Sequence, residues 1–597
     1  MYHPGIKGDQ NHGHGIQPME HRGVILLEDP DLAYYDHTGY ASNQGRPTTV
    51  TMMSQSSHPV DYSSDSRFFQ HRTPGVVPKA PPTVASTDTA ATGYGALRPG
   101  GPVPLFSKHY VGYLLTWLLI GFFDGGIPAL VYPLFGVYLH LEDYQGNAVL
   151  ALINFAWNFK FIFSFLTDCV PMNRYRRKPY LYFGWIILFG FMLSVMFRGQ
   201  VDPYMLNGEV VNPNAEADGP RYVVPLIAIS FARILVVVPS EGMMVEYAHR
   251  EGEMIRGRTQ TITMIVRSIG QAAGILLVAL GCNGPEYGGS FDQSIPLQIL
   301  FAVWTVLCVA GVVVTWFLVP ESQMPTSAQP IRSQMLRVWR IIQQRSTWQI
   351  MLFGFFQNAA MSLQFHQKDS FYRLRLSSDT RALNLADAVA MLGTIIGAFL
   401  MKQYWTNSSW RKVMLWSFCA TVVIGLPIET LTTFKMLPHQ SLYLVKDLFV
   451  AVGTALIILT RELVIIEITD PGHEATTYGF ITTVHYLGKP FVTMLSNLFA
   501  SDSTDLKKDS EETQWKSATY MWIVFLVRII VMLAIVRLVP RQKRHALEVK
   551  LLGNPSLIVP LVLFLCVVLV FLVVVTSSFL AVIKDTSCLK IAGGRGC

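Results

Sequence analysis

Charge is what this chain has least of. Of its 597 residues only 15% are Asp, Glu, Lys or Arg, where a soluble globular chain carries nearer a quarter. That scarcity, beside 51% hydrophobic residues, excludes an ordinary soluble domain. Cysteine is sparse too. Of seven, Cys169, Cys282, Cys308, Cys419 and Cys566 lie in or beside apolar stretches, where Cys serves as a small hydrophobe. Cys588 and Cys597 share the terminal segment and can pair only if it is extracellular. No Cys/His set has zinc-ligand spacing, so no metal site is expected. No Gly-x-x-x-x-Gly-Lys-[Ser/Thr] loop occurs, which argues against a nucleotide-driven pump. With no His-rich metal cluster and no nucleophile motif, neither an enzyme nor a cofactor is expected. There is no signal peptide, and Glu28, Asp29, Asp31 and Asp36 argue against an organellar transit peptide.

What the chain does have is apolar runs of 18 or more residues, long enough to cross a hydrocarbon core of roughly 30 Å. They fall near 110–139, 146–168, 180–197, 222–246, 260–281, 296–319, 347–366, 385–404, 412–431, 441–466, 475–500 and 518–538. A thirteenth runs near 555–583. The first contains Gly125, Gly126 and Pro128, tolerated where neighbours satisfy the freed backbone groups. The expected fold is all-α and membrane-embedded, with two six-helix bundles and an extra C-terminal helix. The expected divisions are a disordered tail at 1–105, bundles at 106–320 and 347–540, a central loop at 321–346, and a basic linker, extra helix and short tail at 541–597. The tail's scattered histidines (His3, His12, His14, His21, His37, His58, His71) read as solvated.

Basic residues orient the spans, because they resist translocation. They collect at Arg174, Arg176, Arg177 and Lys178; at Arg250, Arg256 and Arg258; at Arg332, Arg337, Arg340 and Arg345; at Lys402, Arg411 and Lys412; and from Arg541 to Lys550. The loops at 199–220 and 282–295 are nearly free of them. Even-numbered spans therefore end inside and the amino terminus is cytoplasmic. Lys368, Arg373, Arg375 and Arg381 run against that topology. The sequon Asn407-Ser-Ser409 falls inside and should stay unmodified. The membrane is by default the plasma membrane, with an organelle left open. The +7 net charge sits in short loops and implies no nucleic acid.

A charge at the bilayer centre costs roughly 2.5–3.5 kcal/mol on insertion scales, so one found there faces a cavity or a partner. The spans offer Asp124, Asn154, Asn158, Lys160, Asp168, Arg233, Glu241, Glu246, Arg267, Arg461, Glu462, Glu467 and Lys489. Lys160, Asn158, Arg233, Lys489 and Asp124 are candidates to contact substrate. Glu241, Glu246, Arg267 and Glu467 are candidates for proton coupling or gating, Asp124 being a further carboxylate for coupling. Lys160 stands eight residues, about 12 Å, before Asp168, so it either reaches back to the interface or meets substrate. Arg233 and Glu241 are also eight residues apart, too far for a direct ion pair. Glu246 and Arg267 are candidates for a gating salt bridge. Arg233, Lys160 and Lys489 together would make a positive cavity for an anion.

The stretch Leu166-Thr-Asp168-Cys-Val-Pro171-Met-Asn-Arg174-Tyr-Arg176-Arg177-Lys178-Pro179-Tyr-Leu181 is narrower than a basic loop. It resembles the loop between the second and third helices of major facilitator transporters. In detail it is similar to the folate–biopterin transporter family, whose signature runs close to Ser-Asp-Gly-Val-Pro and then Gly-Tyr-Arg-Arg-Arg-Pro-Tyr-Leu. Trp157 and Lys160 resemble the family's Trp-x-x-Lys, Glu241 and Val245-Glu246 its acid followed by Val-Glu, and Arg267 with Gly270 its Arg-x-x-Gly. Pro471-Gly472-His473-Glu474-Ala475-Thr476 with Leu487-Gly488 is similar to its Pro-Gly-x-Glu-Ala-Thr and later Leu-Gly. Asp124 stands where Gln is usual, and Glu241 where Asp is. The resemblance implies a monomeric secondary transporter of a folate- or pterin-like anion, working by alternating access. It also implies that Asp168, Arg174, Arg176 and Arg177 form a conformational loop. A receptor or sensor that kept a transporter fold, or a carrier of an unrelated metabolite, is the alternative.

Overall fold

The computed structural model describes residues 95–206, 208–323, 331–364, 380–436, 440–499 and 510–583, with residues 586 and 589. Residues 1–94, with the tail histidines, lie outside them, as do Lys368, Arg373, Arg375, Cys588, Cys597 and the side chain of Arg381. Eleven helices among the described residues are long and apolar enough to cross a membrane.

The first six spans are α1 (Val111–Val131), which continues as a π-helical Tyr132–Tyr138; α2 (Asp143–Asn154) joined through a 3-10 turn to α3 (Lys160–Cys169); α4 (Lys178–Met196); α5 (Gly219–His249); α6 (Arg258–Gly281); and α7 (Leu297–Leu318). A short helix α8 (Ile331–Gln343) leads into α9 (Arg345–Ser362), then α10 (Thr380–Leu400), α11 (Trp410–Thr433) and α12 (Gln440–Ile468). The eleventh span is broken into α13 (Glu474–Tyr486) and α14 (Gly488–Phe499). Then come α15 (Glu511–Ile535), α16 (Lys543–Leu552) and the thirteenth span, α17 (Ile558–Val582). The seventh and eleventh expected spans, α9 and α13–α14, are not among these eleven.

Three of the expected segments between or before the spans contain structure of their own. The central loop contains α8, which buries Val338, Ile341 and Ile342. The basic linker contains α16, which buries Lys543 and Ala546. Within the expected tail, Leu97 N–H and Arg98 N–H both donate to the His249 carbonyl, and Val103 and Leu105 are buried. Among the described residues, a two-stranded hairpin, β1 (Met205–Leu206) with β2 (Glu209–Val210), stands between the helices.

Helix packing repeats after six spans. In the first half α1 lies against α6, and α4 against both α5 and α7. In the second α9 lies against α13 and α14, and α11 against both α12 and α15. The halves meet where α6 crosses α10 and where α3 and α5 meet α13. Lipid is as apolar as leucine, so helices in it associate by close approach of small residues rather than by the hydrophobic effect. The α1–α6 seam does this reciprocally. Gly121 and Gly125 of α1 face the carbonyls of Arg267 and Gln271, while Gly270 and Gly274 of α6 face those of Leu118 and Phe122. A Cβ at any of the four would land on a carbonyl oxygen.

Replacing Gly121 or Gly270 by leucine should therefore cost about 2–3 kcal/mol or more. A lowered melting temperature of the detergent-solubilised protein, followed by size-exclusion fluorescence, is the expected outcome.

Candidate functional site

The site begins with the break in the second span. The 3-10 turn Phe155–Phe159 ends at Lys160, whose N–H bonds back three residues to Trp157. At that change of winding Phe161 N–H is satisfied from the other half, by Thr483 Oγ1 at 3.1 Å. Lys160 is fully buried. Its Nζ lies 2.6 Å and 2.5 Å from the two carboxylate oxygens of Glu241. It also stands over Trp157 at 5.6 Å, Tyr478 at 5.1 Å and Tyr486 at 5.4 Å. Tyr478 and Tyr486 belong to the second half, so this cation sits at the seam. It does not reach for the interface.

Beside it Asp124 holds two arginines. Arg267 donates to Oδ2 through Nε at 2.9 Å and Nη2 at 2.6 Å, and Arg233 Nη2 donates to Oδ1. Arg233 and Glu241 thus have separate partners, as their spacing requires. The expected Arg267–Glu246 salt bridge is not formed. Nine residues, about 14 Å, separate Arg267 from the start of α6, which puts it level with Asp124, not with the helix ends.

In the second half Arg461 donates to Gln357 Oε1 at 3.2 Å and to His485 Nε2 at 2.6 Å. His485 Nδ1 lies 2.8 Å from the Gly354 carbonyl and 2.7 Å from the same Arg461 nitrogen. Glu462 accepts from Gln260 across the seam and lies 3.6 Å from Arg461. Four cations (Lys160, Arg233, Arg267, Arg461) meet three carboxylates (Asp124, Glu241, Glu462), an excess of one positive charge, 4 − 3. Asn158 is half-buried in the 3-10 turn. Lys489 lies outside this buried group, exposed at the start of α14, so the expected trio of Arg233, Lys160 and Lys489 is replaced by these four.

A second cluster closes one end of the seam, where α3, α5 and α12 end and α13 begins. Asp168 Oδ1 accepts from Arg176 at 2.9 Å and Arg177 at 3.2 Å, while Oδ2 accepts from Thr476 N at 2.7 Å and Oγ1 at 2.8 Å. One carboxylate thus ties the loop to the other half. Arg176 also reaches the Gly472 carbonyl at 2.7 Å, and Arg177 reaches Glu246 at 3.1 Å. Glu321 accepts the backbone N–H groups of Arg176, Arg177 and Lys178, fixing the entry to α4. Gly479 lets α13 approach α3, since a Cβ there would meet Ser164. Glu467 pairs with Arg256 at 2.6 Å at this same end, not at the centre.

Nearby, Glu251 accepts from Gly257, Arg258 and Thr259, and burial pushes its carboxyl up. Lys543, whose ammonium burial pushes down, bonds the carbonyls of Glu253 and Arg256 and the Asn407 side chain. Arg174 is exposed at the tip of the loop. With Asn173 it forms the corner of a tight hairpin, at φ 49° and 68°, closed by paired bonds between Met172 and Tyr175. Sequence reasoning passes over His485, Gln357 and Arg98. The available signal for the first two was a polar side chain inside an apolar span, and for Arg98 there was none.

A family model described as the BT1 family matches residues 127–550. A curated folate-biopterin transporter of Synechocystis sp. is 22% identical over 404 residues, covering 64% of this chain and 74% of the relative. Among solved structures, a D-xylose-proton symporter is 14% identical with a TM-score of 0.51, covering 73% of this chain and 98% of its own. The major facilitator proton:xylose symporter bound to 6-bromo-6-deoxy-D-glucose gives 14% and 0.51, covering 74% and 98%. These two establish the fold, that of the major facilitator superfamily.

Lys160→Met leaves Glu241 buried without its cation and should cost about 3–5 kcal/mol, while adding Glu241→Gln should recover much of it. Thermal unfolding of the purified variants checks both. Arg174 occupies a left-handed conformation where the family signature has glycine, so Arg174→Gly should stabilise by about 1 kcal/mol in the same assay.

Proposed function

Because the chain belongs to the BT1 family, whose profile covers most of its length, we propose that this transporter carries a folate- or pterin-like organic anion by alternating access. The observation that carries the substrate class is the buried group at the seam, with one positive charge in excess and three aromatic rings around Lys160. A planar conjugated ring suits the faces of Trp157, Tyr478 and Tyr486, and a carboxylate suits the arginines. The Synechocystis relative, a folate-biopterin transporter, supports the same class.

Proton coupling follows from the Lys160–Glu241 pair. A substrate carboxylate that takes Lys160 leaves Glu241 buried without a cation, and a proton neutralises it. Glu241 is the coupling carboxylate in this reading; Asp124, already held by two arginines, orients Arg233 and Arg267. Asp168, Arg176, Arg177, Glu246 and Glu467 close the gate at the end that the basic loops assign to the cytoplasm. The bundles at 106–320 and 347–540 rock about the seam, and the plasma membrane is the working location.

Uptake of labelled folate into proteoliposomes tests this. The parent should give saturable uptake that an unlabelled pterin competes for and that acid outside stimulates. Losing one charge-assisted contact is worth about 1.5–3 kcal/mol, so Arg267→Gln should lower uptake about 10- to 100-fold. Glu241→Gln should abolish the acid stimulation. No uptake by a folded parent overturns the substrate class, and uptake in Glu241→Gln that still rises with acid overturns its coupling role.

A further inference from the structure

The closed end of the seam includes Arg98, a residue of the segment before α1. Arg98 precedes α1, on a strap running from Gly95 toward the buried Val103 and Leu105. The strap is docked by backbone. Leu97 N–H and Arg98 N–H donate to the His249 carbonyl at 2.9 Å and 3.0 Å, and Arg256 donates to the Gly95 carbonyl. His249 is the last residue of α5, and helix ends leave carbonyls without partners inside the helix. The strap supplies donors to such a carbonyl.

From there the Arg98 guanidinium spans the seam. Nη1 lies 3.4 Å from Glu246 on α5, and Nη2 lies 2.6 Å from Glu474 on α13. Glu246 also faces Arg176 and Arg177, and Glu474 faces them at 3.8 Å and 3.7 Å. The side chains joined by these ion pairs are three carboxylates (Asp168, Glu246, Glu474) and three cations (Arg98, Arg176, Arg177), a balance of 3 − 3. Without Arg98 it carries one uncompensated negative charge beside Glu474, which is fully buried. Leaving a buried charge without its partner is the costly case.

We propose that Arg98 is a positioning residue of the gate: docking of the strap supplies the third guanidinium to the three carboxylates Asp168, Glu246 and Glu474, and release of the strap favours opening of this end. The inference rests on the alternating-access reading, because Glu246 and Glu474 lie on different halves and separate when this end opens. One guanidinium then holds only one of them. The segment before α1 thereby acquires a direct influence on the conformational equilibrium, and any partner that captures it would loosen the gate.

Cys169 reports on the gate without substrate. It is buried one residue beyond Asp168, with its thiol on Gln334. In detergent, where both ends are accessible, a full-length protein retaining only this cysteine is labelled with a bulky maleimide. Arg98→Ala should raise the labelling rate about tenfold, and Arg98→Lys should restore it in part. Leu97→Pro, which removes one docking N–H, should raise it while Arg98 is still present. Arg98→Ala with Glu474→Gln should return toward the parent rate, since the charge balance is regained. Folded Arg98→Ala and Leu97→Pro proteins that label at the parent rate overturn the proposal. A double variant that labels as fast as Arg98→Ala overturns its electrostatic basis. Because no substrate enters the assay, failure of folate uptake leaves this result standing.

Discussion

An ionised side chain inside a membrane protein needs a charged partner or a polar cavity within the protein, and the architecture described here depends on that constraint. Lys160 is fully buried because Glu241 lies 2.6 Å away on another helix. Asp124 is buried because two arginines from two further helices converge on it. These pairs cross between spans, so they fix how α1, α3, α5 and α6 are rotated against one another. The apolar surfaces that hold the helices in lipid are nearly featureless by comparison. Close approach through Gly121, Gly125, Gly270 and Gly274 supplies the contact, and the ion pairs supply the register.

The same constraint separates two kinds of charged cluster. At the closed end, positive and negative groups balance once Arg98 is included. At the centre they do not, and one positive charge remains. A balanced cluster between two halves is a latch, because separating the halves leaves charges without partners. An unbalanced one is suited to receive a charged ligand. The broken geometry of the seam helices serves both. The 3-10 turn before Lys160 leaves a backbone group that the opposite half satisfies, as Thr483 does for Phe161, and beside the interruption at Leu487 the His485 carbonyl accepts from the Asn358 side chain of α9. Bonds of that kind are exchangeable, and helices that exchange partners are the ones a rocking transporter needs at its interface.

The amino-acid sequence by itself determined the class of molecule and much of its outline. Apolar runs of membrane-spanning length, basic loops in register and the Asp168–Lys178 motif are local properties, readable one segment at a time. The pairing of Asp168 with its own loop was legible for the same reason, since Arg176 and Arg177 are only eight and nine residues away. Even the separation of Arg233 from Glu241 followed from the helical rise. What only the tertiary structure decided is which distant charges meet. Arg267 turned to Asp124 rather than Glu246, Lys489 stayed outside the buried group, and His485 joined Arg461 within it. Helix spacing tells which residues share a face but not what that face touches, and in a bundle the partner is set by rotation and depth of helices far apart in sequence. Arg98 is the extreme case: nothing in its local sequence marks it, and its role exists only where a strap crosses between two halves.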